Sequence, residues 1–263
     1  MTFADLLAAL AESSDQQVTV PASWAQGRAG YGGLVAALVF EGMRAKASGR
    51  PVRSLAITFV GPVAPGEPMR VEAEVLREGK AVTQILGRAI QNGQTMCIIQ
   101  GSFGASRESV VDVAAEEAPQ ANAPQDCKQL PFVKGVSPDF IQHFAVRWLY
   151  GDLPFTNSRK REMGGWMSFI QDEGDIHEGH ILGLMDVWPP AVLPHLSQRA
   201  PASTLTWTIE FMQPQPQVRN TESLLYRAEI ERAKDGYGHT AAKAWNERGE
   251  LVAISRQTVT VFG

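Results

Sequence analysis

The two halves of this 263-residue chain share a weak internal repeat, and that repeat limits the folds the chain can adopt. Phe59-Val-Gly-Pro62 matches Phe211-Met-Gln-Pro214 at an offset of 152 residues, and Ala73-Glu-Val75 matches Ala228-Glu-Ile230 at 155. A third match, around a glycine-containing turn, has an offset of 156. Because the offset drifts so little along the chain, we interpret the halves as two copies of one structural unit.

Each copy contains four segments rich in β-branched and aromatic residues, separated by turns, and this pattern predicts antiparallel strands. Asn92-Gly93 and Arg248-Gly249 are typical of hairpin turns. The predicted strands are Ser54–Val60, Met69–Glu78, Ala81–Gln91 and Thr95–Phe103 in the first copy, and Thr204–Phe211, Glu222–Ala233, Gly238–Glu247 and Leu251–Val261 in the second.

Each set of strands follows one candidate helix. Residues 32–47 are apolar on almost every side, as in a helix that is buried on most sides. The counterpart runs from Gly179 to about Val187, where Pro189-Pro190 ends it. A helix wrapped by an antiparallel sheet, present twice, is the tandem (double) hotdog architecture, an α+β fold with two antiparallel sheets each wrapping a central helix. One long sheet packed on helices would give the same pattern.

The chain divides at a segment without hydrophobic periodicity. Residues 107–129 consist largely of Ala, Glu, Pro and Gln, as expected of a surface linker. We therefore predict an N-terminal hotdog domain at 1–106, a linker at 107–136 and a C-terminal hotdog domain at 137–263. A short amphipathic helix is expected over Met1–Glu12. Exposed sheet edges in such a fold favour a homo-oligomer.

The composition argues against several classes of protein. With 24 basic and 28 acidic side chains and no extended Lys/Arg cluster, the chain lacks the charge pattern that nucleic acid or an anionic membrane requires. The only cysteines, Cys97 and Cys127, are too few for a disulfide scaffold or a thiolate metal site. The longest apolar run, Gly33–Phe40, is too short to span a membrane. Because the first residues lack the positive charge of a signal peptide, we expect a cytoplasmic protein.

Common catalytic motifs are also missing. The sequence has no G-x-S-x-G nucleophile elbow, and His177-Glu-Gly-His180 has the wrong spacing for a zinc-binding H-E-x-x-H. We therefore predict neither a metal nor a cofactor. The glycine-rich segment Gly27–Gly33 matches neither a P-loop nor a dinucleotide motif. It is either a flexible entry to the buried helix or a set of backbone amides facing an anionic or carbonyl oxygen.

Asp186 is the residue that most needs an explanation, because it is the only charge in the apolar stretch Ile181–Pro190. An unpaired buried carboxylate is unfavourable, so Asp186 must find hydrogen-bond donors. It either bonds the kinked backbone before Pro189 or acts in catalysis.

Two other polar positions admit a structural and a functional interpretation. Strand alternation in Ser203–Phe211 would place Thr204, Thr206 and Thr208 on one face, and such a row is usually an ordinary strand surface. Gln257 would ordinarily face solvent on its strand.

Five segments together resemble the acyl-CoA thioesterase II (TesB-like) family of double-hotdog thioesterases. Leu184-Met-Asp186, Ser203–Pro214 and Gly249–Gln257 are similar to three signature segments of that family, and Gly30-Tyr-Gly-Gly33 and Phe59–Gly66 agree in the first half. The resemblance covers most of the chain outside the linker. It implies a thioester hydrolase of fatty acid metabolism that converts acyl-CoA to the free acid and CoA.

The resemblance also implies a catalytic set. In that family an Asp on the second hotdog helix, a Thr or Ser on the next strand and a Gln near the C-terminus hold a water, and these positions are Asp186, Thr204 and Gln257 here. Asp186 would be the general base, while Thr204 and Gln257 would fix the water. The family's usual Asp-His-Ser-Met is Thr206-Trp-Thr-Ile209 in this chain, a departure that bears on the acyl pocket.

The substrate-binding residues expected from this interpretation come from both halves. Backbone amides at Gly32 and Gly33, or at the start of the second helix, would face the thioester carbonyl oxygen. An apolar acyl pocket would be lined by Met185, Trp188, Trp207 and Phe211.

The repeat predicts one active site per chain. Subtracting the offsets places Val52 opposite Thr204 and Gly101 opposite Gln257, so the first copy lacks the water-holding groups. Two other functions remain open at this point. One is a non-catalytic acyl-thioester binding protein with the hotdog fold. The other is a hotdog hydratase or dehydratase, disfavoured because no His accompanies a helix Asp or Glu in the way that chemistry needs.

Overall fold

The computed structural model describes residues 1–262, and its main element is an eleven-stranded antiparallel sheet packed against α-helices. The helices are α1 (Phe3–Glu12), α2 (Gly32–Arg44) and α3 (Glu178–Met185). The strands are β1 (Gln17–Thr19), β2 (Ala25–Gln26), β3 (Ala29–Gly30), β4 (Val52–Phe59), β5 (Pro68–Glu78), β6 (Val82–Gln91), β7 (Gln94–Gly104), β8 (Phe144–Tyr150), β9 (Glu162–Phe169), β10 (Ala202–Phe211), β11 (Leu224–Lys234), β12 (Tyr237–Trp245) and β13 (Leu251–Val261). Strands β2 and β3 form a separate two-stranded hairpin.

The repeat is visible in the strand order, which is β1-β5-β6-β7-β4-β10-β13-β12-β11-β9-β8. The order β5-β6-β7-β4 in the first half is repeated as β11-β12-β13-β10 in the second half. All eight strands predicted from the repeat are present, with ends within two residues of the prediction. Strands β1, β2, β3, β8 and β9 were not predicted.

The two halves join edge to edge through β4 and β10, where Ile57 lies opposite Trp207. The expectation of two separate sheets is therefore corrected, because the strands form one continuous sheet. The physical reason is backbone pairing. Each of these strands would otherwise leave a row of N–H and C=O groups unpaired at a sheet edge.

Helix α2 is buried on nearly every side because it lies between the first half of the sheet and the other two helices. The amphipathic helix expected at the N-terminus is confirmed as α1, which begins with a capping box between Thr2 and Asp5. Helix α3 is short and ends at Met185, with Asp186 as its C-cap residue. No helix within residues 1–262 is both long enough and apolar enough to cross a membrane.

The segment predicted as a linker crosses the face of the sheet opposite the helices. The indole of Trp166 donates a hydrogen bond to the Asn122 carbonyl at 2.8 Å, and the indole of Trp245 donates to the Glu116 carbonyl at 3.0 Å. Ala118 and Ala121 pack on the small apolar cluster that contains both tryptophans. The segment is thus attached to the second half of the sheet at several points.

We expect the double substitution Trp166→Phe and Trp245→Phe to release this segment. Each change removes one hydrogen bond from a partly buried carbonyl and some packing, so the free energy of unfolding should fall by roughly 2–4 kcal/mol in total. Urea unfolding measures the loss, and limited proteolysis between residues 107 and 129 should become faster. Val111→Ala, at an exposed position of the same segment, is the control and should change stability by less than about 0.5 kcal/mol. Unchanged proteolysis in the double variant would contradict the prediction.

Candidate active site

A cavity of about 470 Å³ opens where the two halves of the molecule meet. Its walls include the first turn of α2, the end of β4 with the loop after it, and the start of β10. This volume lies in the range of small-molecule sites. Among the described residues that line it, Asp186 is the only charged one. The other polar side chains of the lining are Gln26, Ser203, Thr204, Gln257 and Thr260.

The carboxylate of Asp186 receives hydrogen bonds from both halves of the chain. The side-chain amide of Gln257, on β13, donates to Asp186 Oδ1 at 3.3 Å. The backbone N–H of Gly33, in the first turn of α2, also interacts with the carboxylate. Asp186 itself is held at the end of α3, where its own N–H donates to the Leu182 carbonyl. Three elements that are distant in sequence thus converge on one carboxylate.

The two glycines at the start of α2 let the carboxylate approach the helix closely. A Cβ on Gly32 would lie 2.9 Å from Asp186 Oδ2, and a Cβ on Gly33 would lie 2.9 Å from Asp186 Cβ. Any larger residue would displace the aspartate. The Gly33 amide, which the sequence predicts to face a substrate oxygen, also interacts with the Asp186 carboxylate. Gly32 lines the cavity.

Burial raises the pKa of Asp186 from 3.8 to about 7, while the hydrogen bonds from Gly33 and Gln257 act in the opposite direction. The ring of Phe59 contributes to the apolar surroundings, since its Cζ and Asp186 Oδ2 lie 3.3 Å and 2.9 Å from the position that a Cβ on Gly32 would take. A carboxyl group with a pKa near 7 is suited to accept and return a proton at neutral pH.

Thr204 lines the same cavity because β10 contains a β-bulge. The pairing with β13 shifts between Thr204 and Thr206, so Thr204 lies opposite the buried Val259. Thr206 and Thr208 lie on the exposed face. The expectation that all three threonines share one face is therefore corrected, because the extra residue reverses the alternation. Within residues 1–262 the Thr204 hydroxyl makes no side-chain hydrogen bond, which leaves it available to a ligand or water.

Of the four residues expected to form an acyl pocket, only Trp188 lines the cavity. Trp207 is fully buried on the helix-facing side of the sheet and donates to Ser255 Oγ at 2.8 Å. Phe211 stacks with Phe40 in the core, and Met185 is buried at the end of α3. Met185, Trp207 and Phe211 do not line this cavity, because their side chains lie in the core.

Two models of one protein family match the chain. The acyl-CoA thioesterase N-terminal domain matches residues 20–104, and the acyl-CoA thioesterase C-terminal domain matches residues 124–261. The chain belongs to the acyl-CoA thioesterase family. Members of this family are thioester hydrolases, and the resemblance stated from the sequence is confirmed. No curated protein matches this thioesterase significantly.

Solved structures with the hotdog fold are similar to this thioesterase over nearly its whole length. The tesB protein of Mycobacterium avium subspecies paratuberculosis is 17% identical, with a TM-score of 0.80 and 100% of each chain covered. An acyl-CoA thioesterase II of Mycobacterium marinum is 20% identical, with a TM-score of 0.68, and 94% of this chain and 92% of that chain are covered. A hot dog fold protein of unknown function from Alicyclobacillus acidocaldarius is 22% identical, with a TM-score of 0.79 and the same coverage. At these identities the likeness shows the fold.

Two tyrosines beside Asp186 were not singled out from the sequence. Tyr31 is fully buried at the N-terminus of α2, and Tyr226 is buried on β11, where it stacks on Trp188. Burial raises the pKa of both phenols, and the negative charge of Asp186 raises it further. Both phenols are therefore neutral. The only sequence signal was the position of Tyr31 between glycines at the helix start.

The ionisation of Asp186 should be measurable as a pH-dependent effect on stability. Because its pKa is higher in the folded protein than in the unfolded chain, the folded protein binds the extra proton between about pH 4 and 7, and stability is lost as pH rises through that window. Asp186→Asn removes the charge, so the variant should be more stable than the parent by roughly 2–4 kcal/mol at pH 8 and similar to it at pH 4. Urea unfolding at both pH values tests this. A stability difference that does not depend on pH would contradict it.

Proposed function

We propose that this thioesterase hydrolyses acyl-CoA to the free acid and CoA with a water molecule activated by Asp186 and positioned by Thr204 and Gln257. The observation that carries the proposal is the convergence of these three side chains on one cavity, with Gln257 bonded to Asp186. Family membership supplies the reaction class. The raised pKa of Asp186 supports its role as the general base.

The proposed reaction needs no covalent intermediate with the protein. Asp186 accepts a proton from water as the water oxygen attacks the thioester carbonyl carbon, and a tetrahedral oxyanion forms. The oxyanion then collapses, the C–S bond breaks, and the CoA thiolate takes the proton back from Asp186. Because a thioester carbonyl is already electrophilic, the protein has mainly to align the water and stabilise the oxyanion.

The backbone amide of Gly32 is the candidate donor to the oxyanion. The first N–H groups of an α-helix have no partner within the helix, and they lie at its positive end. The Gly33 amide is directed at Asp186, whereas Gly32 lies beside it and lines the cavity. An oxyanion bound there would be next to the water held by Asp186.

We further infer that each half of the sheet, with its own helix, is one hotdog unit and that only the second unit supplies the water-holding groups. Gly101, which corresponds to Gln257 in the repeat, has no space for a polar side chain. A Cβ there would lie 2.6 Å from Met43 Cε and 2.9 Å from the Phe103 ring. The first unit contributes Gly32, Gly33 and Phe59 instead. The domain boundaries at 106 and 137 and the homo-oligomer stay predictions.

The acyl chain of the substrate has an apolar wall available on both sides of the catalytic groups. Val35, Phe59 and Met96 come from the first half, and Trp188 and Phe262 come from the second half. An acyl group could lie along this wall with its thioester beside Asp186. Thiol release from acyl-CoAs of increasing chain length would show the preferred substrate.

We expect the purified protein to release CoA thiol from acyl-CoA, and Asp186→Asn to lower kcat by about 10²–10⁴-fold because the general base is lost. Glu173→Gln is the matched control, since Glu173 is another buried carboxylate with a raised pKa but bonds the backbone of Ala4, away from the cavity. Its kcat should stay within twofold. Wild-type turnover in Asp186→Asn would remove Asp186 from the mechanism. Binding of acyl-CoA without thiol release would favour the non-catalytic binding protein.

The pH dependence of the reaction should report the carboxylate. Because only ionised Asp186 can accept a proton, kcat/KM should be constant above about pH 7 and fall nearly tenfold per unit below it. Gln257→Ala removes a hydrogen bond that favours the ionised form, so the midpoint should move to higher pH. Rates measured between pH 5 and pH 8.5 test both statements. A flat profile, or a midpoint that moves to lower pH in Gln257→Ala, would contradict them.

A further inference from the structure

The side chain of Tyr31 connects the first half of the molecule to the helix that carries Asp186. Its hydroxyl donates a hydrogen bond to the Gly183 carbonyl at 2.5 Å, and both groups are buried. The ring is held by other aromatic rings, since it stacks on Phe140 at 4.1 Å between centroids and contacts Phe144 edge-on at 5.7 Å. Its backbone N–H donates to the Trp24 carbonyl. The position of the hydroxyl is therefore fixed.

The Gly183 carbonyl needs this partner because α3 tightens at its end. In a continuing α-helix the Gly183 carbonyl would accept from the N–H of Val187. That N–H instead donates to the Leu184 carbonyl at 3.1 Å, one residue further along. The Tyr31 hydroxyl takes the vacated position and satisfies a buried acceptor. Gly183 also lacks space for a side chain, since a Cβ there would lie 2.6 Å from the Phe3 ring.

The same bond lies next to the candidate base. Asp186 Cβ and the Tyr31 hydroxyl oxygen each lie 2.9 Å from the position that a Cβ on Gly33 would take. Residues 31–33 therefore hold the end of α3 at two points. The Tyr31 side chain bonds the helix backbone, and the Gly33 amide interacts with the carboxylate of Asp186.

From this arrangement we infer that Tyr31 is a positioning residue, which caps the Gly183 carbonyl and thereby keeps the Asp186 carboxylate against the N-terminus of α2. The inference rests on the proposed function, because it takes Asp186 to be the general base. Tyr31 does not line the cavity and does not touch the substrate. It acts only through the end of α3.

The test is Tyr31→Phe, which removes the hydroxyl and keeps the ring. We expect kcat for acyl-CoA hydrolysis to fall at least tenfold with KM within threefold, because small displacements of a base slow the chemical step more than binding. The acidic midpoint of kcat/KM should also move down by at least half a pH unit, since a released carboxylate gains water. Tyr150→Phe is the matched control. Its hydroxyl also donates to a backbone carbonyl, that of Gln120, but at the partly exposed linker contact.

The pH midpoint separates positioning from general stability. If kcat or the pH midpoint of kcat/KM is unchanged in Tyr31→Phe, the inference is wrong. A lower kcat together with a lower Tm but an unchanged pH midpoint would show a general loss of stability and would also overturn it. Tyr150→Phe should change neither quantity.

A second measurement does not depend on turnover. The stability that Asp186→Asn gains at pH 8 should shrink at least by half in the Tyr31→Phe background, because the carboxylate is no longer held in its buried position. An equal gain in both backgrounds would overturn the inference even if the protein hydrolyses no acyl-CoA. Wild-type turnover in Asp186→Asn would instead contradict the proposed function alone.

Discussion

The arrangement of the site depends on one desolvated carboxylate packed against the start of a helix from the other half of the chain. Moving Asp186 out of water disfavours its charge, and the Gly33 amide and the Gln257 side chain offset part of that effect. Because desolvation outweighs these two hydrogen bonds, the pKa of Asp186 lies near 7. Three features allow this contact. They are the glycines at positions 32 and 33, the short helix α3 and the hydrogen bond from Tyr31 to the end of α3.

The contact also bears on why only one of the two repeated halves carries the candidate catalytic side chains. The two halves present equivalent strands, yet the place of Gln257 is taken in the first half by Gly101 and the side chain of Met43. The first half has an apolar interior around α2, whereas the second half supplies Asp186, Thr204 and Gln257 to the cavity between the halves. The first half still contributes to the site, because Gly32 at the N-terminus of its helix lines the cavity and Gly33 interacts with the carboxylate.

The sequence predicted those features that follow from local pattern. The repeat located eight strands, and the isolated charge in an apolar stretch pointed to Asp186. The features that the sequence pattern did not predict depend on tertiary structure. The bulge that turns Thr204 inward is one extra residue in the pairing of β10 with β13, and alternation alone predicted the wrong set of neighbours. Strand β9 contains two adjacent glycines, which weaken the usual strand signal. Trp207 and Phe211 were expected to line the acyl pocket, yet their side chains face the core.

The linker that crosses the second half of the sheet has a consequence for how the molecule assembles. Because the two halves share one sheet and one cavity, their association is an intramolecular event, and the covalent tether gives each half a higher effective concentration near the other than two free fragments would have. Residues 107–113 are exposed, so a cut there would leave the indole contacts in place while turning the joining of β4 to β10 into an encounter between two separate fragments. Fragment complementation at low concentration would then measure how strongly the halves attract each other.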